Sequence, residues 1–435
     1  MPDKDKNKPL KTKPLKIDTV VPPVKVLSKS KPITRIEEVV QFEEKVVNFS
    51  FFGTSAKVRF DLDNKVVLAA VDENSVANAL EKMAADEFNN TILDCVDIKK
   101  QLNLSDWAYL QLVDSLAHKV FQDDSNSASL LMAYLYMSSG YKMRLASYEN
   151  RLYMLYASEH IIYEQNSYVI DGFRYYGIEE LPSRLRICRA SFESELPLSL
   201  LISGGQEFAY KPTDVKHITS EKYPEFSIDV VVNKNLLDFY STYPTSMVGD
   251  NMLTRWAMYA NTPFDDSVSR EIYPFMKEKI AGLSELEAAE YILNFVQTGF
   301  EYEYDDTVWG EDRVFFPDEC LYYEYNDCDD RSVLFSRLIR DLLGLDVALV
   351  VVPGHILAAV NFTEEVNGGF AELDGRKFTL CEPTCTNGAP VGWSDLDDNA
   401  TLSFILLDND RDSDNLSNNK ESEQAEDEWD ELFTE

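Results

Sequence analysis

A segment that opens on Leu-Ser, runs with helical periodicity and closes on Phe occurs twice in this chain of 435 residues. The first copy is LSDWAYLQLVDSLAHKVF, Leu104 to Phe121, and the second is LSELEAAEYILNFVQTGF, Leu283 to Phe300. Ser105 and Ser284 are equally far from their Phe, and each is suited to cap a helix N-terminus. The segments after each copy also match in order. SASLLMAYLYMSSGYKMRL around Gly140 parallels DRSVLFSRLIRDLLGLDVAL around Gly344, each reading as a buried helix closed by Gly and followed by a strand. Asp171-Gly172 matches Asp374-Gly375 as a hairpin turn before an aromatic strand, and Glu179 falls opposite Glu382. Matching elements in one order imply two related α+β units, the second carrying about two dozen extra residues between its first two helices.

The rest of the chain is arranged around these units. Residues 1–40 are rich in Lys and Pro and poor in large hydrophobes, so they are expected to be a disordered basic tail. The first unit is assigned to 41–182. Alternation in VVNFSFFG, AKVRFDL and KVVLAAV predicts strands there, and a helix is expected over Ser75–Phe88. Residues 183–250 read as a β-rich connecting segment, 251–407 as the second unit, and 408–435 as a disordered acidic tail. That tail ends with Trp429, Leu432 and Phe433 among acids, and either tail is a candidate for docking on a partner.

Charge excludes one class of function. A net charge of −35, with acids dominating along most of the chain, argues against phosphate contacts through its body, so no nucleic-acid partner is expected. No apolar run is long enough to span a bilayer, and the basic N-terminus is not followed by an apolar signal region. A cytoplasmic location is therefore expected, with non-classical export left open. The six cysteines form no framework of close spacings, which fits a reducing compartment. Cys381 and Cys385 lack the second ligand pair that structural zinc needs, so neither a metal nor a cofactor is expected.

The two copies differ in chemistry. The second contains Asn326-Asp327-Cys328-Asp329-Asp330-Arg331-Ser332 directly before an apolar helix, which puts Cys328 at a helix N-terminus. Unpaired N–H groups there stabilise a thiolate, while Asp327, Asp329 and Asp330 oppose it and leave Arg331 and a protonated His to offset them. Pro353-Gly354-His355 turns between two buried strands, and Cys381-Glu382-Pro383-Thr384 follows a third. A carboxylate at Glu382 can accept from the His355 ring and fix its tautomer. Each motif has a plain structural alternative: a capped helix, a sheet-edge His, a turn acid. Opposite Cys328 the first copy has Asp124 to Asn126, and opposite His355 it has Asn150 or Arg151.

Cys on a helix N-terminus, then His and a carboxylate on successive strands, resembles the transglutaminase-like superfamily from about Leu283 to Thr384. Ser332 stands four residues after the Cys, where that family has Ala or Ser, and Glu382-Pro383-Thr384 stands where it has Asp-Pro-Thr. The chain looks most like a bacterial branch with a paired, degenerate N-terminal domain. The resemblance implies a papain-like α+β core with Cys328 as nucleophile, His355 as base and Glu382 as orienting acid on an antiparallel sheet. It implies hydrolysis of an amide or peptide bond through a thioester. Transamidation of a protein substrate is the alternative, and a non-catalytic scaffold keeping the fold is a third reading. The Cys328 N–H is one expected oxyanion donor, and Trp309, Tyr325 and Asp327 are further cleft candidates. The aromatic, acidic insertion before Cys328 is expected to be a wall or lid of the cleft, with a packed loop over the core as its rival.

Overall fold

The computed structural model describes residues 10, 12–25, 36–40, 45–85, 88–188, 195–397 and 400–408. The repeat is expressed in three dimensions as one topology built twice. In the first unit the helices Asp106–Phe121 and Ser125–Ser138 precede strands Met143–Tyr148, Arg151–Ser158, Tyr168–Ile170, Phe173–Gly177 and Arg186–Ile187. In the second, helices Glu285–Thr298 and Cys328–Leu343 precede Asp346–Val352, His355–Asn361, Gly369–Leu373, Arg376–Cys381 and Thr401–Leu406. Across each sheet the strands lie in the same order: third, fourth, second, first, fifth. Ser105 and Ser284 both cap their helices as expected. Both Asp-Gly turns have positive φ at Asp and at Gly, the geometry of a two-residue type I′ hairpin turn.

The second sheet closes into a six-stranded barrel, and the closing strand overturns an expectation. Lys13–Val21, assigned above to a disordered tail, pairs in parallel with both Gly369–Leu373 and Thr401–Leu406. Its buried Leu15 joins the barrel interior, Ile17 packs against that interior, and Val21 is buried in the main core, while its lysines stay outside. A strand filling a slot between two edges needs only one apolar face, because main-chain hydrogen bonds supply the rest. Residues 1–9 and the C-terminal residues 409–435, with Trp429, Leu432 and Phe433, lie outside the described residues.

Alternation along the barrel strands divides the packing. Ala348, Val350, Val352, Leu357 and Ala359 fill the barrel, whereas Val347, Leu349, Ile356, Ala358 and Val360 face a larger core shared with the helices of both units. The middle segment departs from its β-rich reading. It holds a short hairpin, Lys216–Thr219 with Ser227–Val230, but also a helix, Lys234–Tyr240, whose Leu236, Leu237 and Phe239 are buried. VVNFSF and TSAKVR pair as a hairpin, but the KVVLAAV stretch has no regular structure. Among the described residues no helix is long and apolar enough to cross a membrane.

Candidate functional site

A reciprocal capping box sets the position of Cys328. The Asp327 carboxylate accepts from the Asp329 N–H at 3.1 Å, and Asp330 accepts from the Asp327 N–H at 3.3 Å, so the helix begins at Cys328. Asp327, expected above as a cleft residue, is thus occupied as the cap. The first turn docks on the strand His355–Asn361. The Ile356 N–H favours the Cys328 thiolate, and one turn later the Ser332 hydroxyl reaches the Ile356 carbonyl at 3.2 Å.

Ile356 follows His355, which the Pro353-Gly354 turn delivers to the start of the strand. Gly354 has φ of +75°, as the third position of a type II turn requires. His355 Nε2 lies 3.0 and 3.1 Å from the two oxygens of Glu382, leaving Nδ1 as the ring nitrogen available to a thiol proton. The Thr384 hydroxyl donates to the same carboxylate at 2.6 Å. Glu382 is buried, which strengthens the pairing. The structure therefore brings His355 and Glu382 together and sets the Cys328 helix against the residue after His355, while among the described residues no hydrogen bond joins the thiol to the imidazole.

Two fully buried side chains tie the surrounding pieces together. The Arg331 guanidinium donates to the carbonyls of Asn326 (3.2 Å), Gln297 (2.9 Å) and Phe300 (2.7 Å). It was expected to offset the aspartates beside the thiol; instead it is committed to backbone oxygens, and burial lowers its pKa to about 10. Gln297 Nε2 donates to the carbonyls of Glu382 and Ala389, and its Oε1 accepts from the Ala389 N–H.

The acids shape the electrostatics. Burial first, then Asp327 and Asp329, push the Cys328 thiol well above its ordinary range, against the opposing pull of the Ile356 N–H. The carboxyls are themselves perturbed. Burial raises Asp327, Asp329 and Asp330, and it raises Asp305 to about 6. Carboxylate oxygens of Asp305, Asp327 and Asp329 lie within 4.8 Å of one another. They are the one group of potential cation ligands beside the thiol among the described residues. Trp256 Nε1 donates to Asp329 at 2.9 Å, and the other Asp329 oxygen is buried without a partner.

The insertion is only partly a wall. Phe315, Phe316, Cys320 and Leu321 are buried, and Phe316 stacks on Tyr240 at 4.1 Å between ring centroids, so this half belongs to the core. Trp309 packs on Tyr323 and Phe315 with the Arg313 guanidinium 4.5 Å from its ring, which makes it a part of the insertion's own packing. Tyr325 is exposed and bridges to Glu301. Tyr302 was not foreseen. Its ring lies 5.2 Å from the Arg331 guanidinium, and burial, then the Cys328 charge, raises its hydroxyl. Its place in the run EYEY gave no signal that set it apart from Tyr304.

The first unit keeps the scaffold with other side chains. Arg151 occupies the hairpin position of His355, since Tyr148 pairs with Arg151 as Val352 pairs with His355. Arg151 forms an ion pair with Glu179 at 2.6 Å, and the Asn126 amide oxygen accepts from the Leu152 N–H. Comparison with protein-family models, curated proteins and solved structures finds no match for this chain.

Proposed function

We propose that the second unit is a cysteine-dependent amide hydrolase of transglutaminase-like type, acting on a peptide or protein. The observation that carries this is the part-buried His355–Glu382 pair, with the Cys328 helix bonded through Ser332 to Ile356, the residue next to His355. A thiol at a helix N-terminus, an imidazole fixed at Nε2 and a carboxylate behind it are the parts of a nucleophile–base–orienter set.

In this reading the Cys328 proton passes to His355 Nδ1 and the sulfur attacks the carbonyl carbon. The C–N bond then breaks as His355 protonates the leaving amine, which leaves a thioester on Cys328. Water, deprotonated by His355, hydrolyses the thioester and restores the thiol. The Cys328 N–H, with no acceptor among the described residues, serves the developing oxyanion. No cofactor enters these steps. The shared strand order of the two units, with the polar set present in only one, supports a chemical reason for Cys328.

A second reading, a binding module without turnover, is favoured by the raised thiol and by its lack of a bond to His355. The test offers a panel of carboxamides and peptides to the wild type, Cys328→Ala and His355→Ala, with and without a primary amine. Turnover lost in both variants supports the enzyme, and an amine-dependent adduct makes it a transamidase. Turnover in none, with Cys328 no more reactive to a thiol-directed electrophile than Cys188, supports the binding module.

A further inference from the structure

The two units share a topology, so a polar bridge present in only one marks what that unit's chemistry requires. Aligned on the capping residues Ser105 and Ser284, Gln297 stands opposite His118. Gln297 is fully buried and spans from its helix to the corner after Arg376–Cys381, holding the Glu382 carbonyl at 2.9 Å and both backbone groups of Ala389 at 3.1 Å. His118 instead stays on its own helix, bonded to the Asp114 carbonyl and carboxylate at 3.0 and 3.1 Å. The second strut behaves alike. Aligned on the caps Asp124 and Asp327, Arg331 stands opposite Ala128, which has no polar side chain.

Arg331 ties the Gln297 carbonyl to the loop before Cys328, and the Gln297 side chain ties the same residue to Glu382. One helix end therefore links the nucleophile's helix to the acid that orients the base. All hydrogen-bonding atoms of the Gln297 amide are directed into this bridge, so it has a single rotamer to occupy.

We propose that Gln297 is a positioning residue, setting the Glu382–His355 pair at its distance from Cys328. The proposal rests on the reading of Cys328 as a His-activated nucleophile. A misplacement of the order of 1 Å in such a set costs up to about 100-fold in rate.

The test is the rate of Cys328 alkylation by iodoacetamide from pH 5 to 9, read by mass spectrometry of the Cys328 peptide in the full chain. Gln297→Met removes the bridge at similar volume, and Ile292→Val on the same helix is the packing control. Gln297→Glu keeps the acceptor for Ala389 and regains one donor only where its carboxyl is protonated. Expected is a His355-dependent reactive phase in wild type and control. Gln297→Met should lose it by about tenfold or more, and Gln297→Glu should recover it at the acid end. If Gln297→Met keeps the wild-type profile, the proposal is overturned. It is equally overturned if both Gln297 variants lose cooperative unfolding, since that marks a residue of general stability. If the wild type itself lacks a His355-dependent phase, the functional reading fails, which is a separate result.

Discussion

Glu319 gives the most quantitative test of how the insertion supports the site. It is buried at the third position of the helix Pro317–Tyr322, accepts from the Phe316 N–H at 3.1 Å and pairs with Arg313 at 2.7 Å. Burial, only partly offset by Arg313, lifts its pKa from the ordinary 4.5 to about 7. Between those values the unfolded chain has lost a proton that the folded chain keeps. The folded state binds more protons there, so the contribution of Glu319 to stability falls as pH rises from 4.5 to 7 and is level outside that window. At about 1.4 kcal/mol per pH unit the window is worth about 3 kcal/mol. In Glu319→Gln the new amide would keep one acceptor and forfeit one hydrogen bond, a cost of about 1 kcal/mol. The variant is therefore expected to be about equal to or slightly less stable than wild type at pH 4.5. At pH 8 it should be more stable by about 2 kcal/mol. Urea unfolding from pH 4 to 8 reads this as a pH-dependent gap between the two midpoints at constant slope. A gap that stays constant across the range would refute the burial argument for Glu319.

Three further outcomes follow from the packing and the charges. Arg331→Ala strands three buried carbonyls and should cost about 3–5 kcal/mol, measured by denaturant unfolding. Asp329→Asn removes a negative charge beside the thiol while its amide oxygen can still accept from Trp256. Burial raises that carboxyl, so Cys328 alkylation should rise about tenfold at the alkaline end of a pH 6–9 series, where Asp329 ionises; a profile unchanged at every pH would refute its influence on the thiol. Deleting residues 1–25 removes the closing strand and leaves two barrel edges unpaired. Thermal denaturation should shift to lower temperature, and light scattering should report self-association.

What the sequence disclosed depends on the range of the interactions involved. Ser105, Ser284 and the two Asp-Gly turns are set by neighbours within four residues, and those readings match the structure. The helix start at Cys328, the tight turn before His355 and the strand end before Glu382 were also legible, because each is a local feature, and the structure pairs His355 with Glu382. The closing strand was not, because its partners lie more than three hundred residues away and only Leu15, Ile17 and Val21 carry the apolar signal. Arg331 reads from sequence as a charge beside aspartates, and only the fold reveals that three carbonyls claim it. Gln297 has no chemistry of its own, so nothing marked it until its partners were in place. The insertion misled through composition: acidic and aromatic residues suggested a surface wall, yet Asp318, Glu319 and Phe316 are buried.

The central claim is that His355 activates Cys328, and the pH dependence of Cys328 alkylation tests it most directly. The proteins to compare are wild type and His355→Ala, with Cys188 as the internal reference because it is the other partly exposed thiol in the first 350 residues. Burial and the aspartates hold the thiol high, so an isolated Cys328 would react only at alkaline pH. The account predicts a reactive phase below pH 8 in the wild type that is absent from His355→Ala. Superimposable profiles for the two proteins, rising only at alkaline pH, would contradict it.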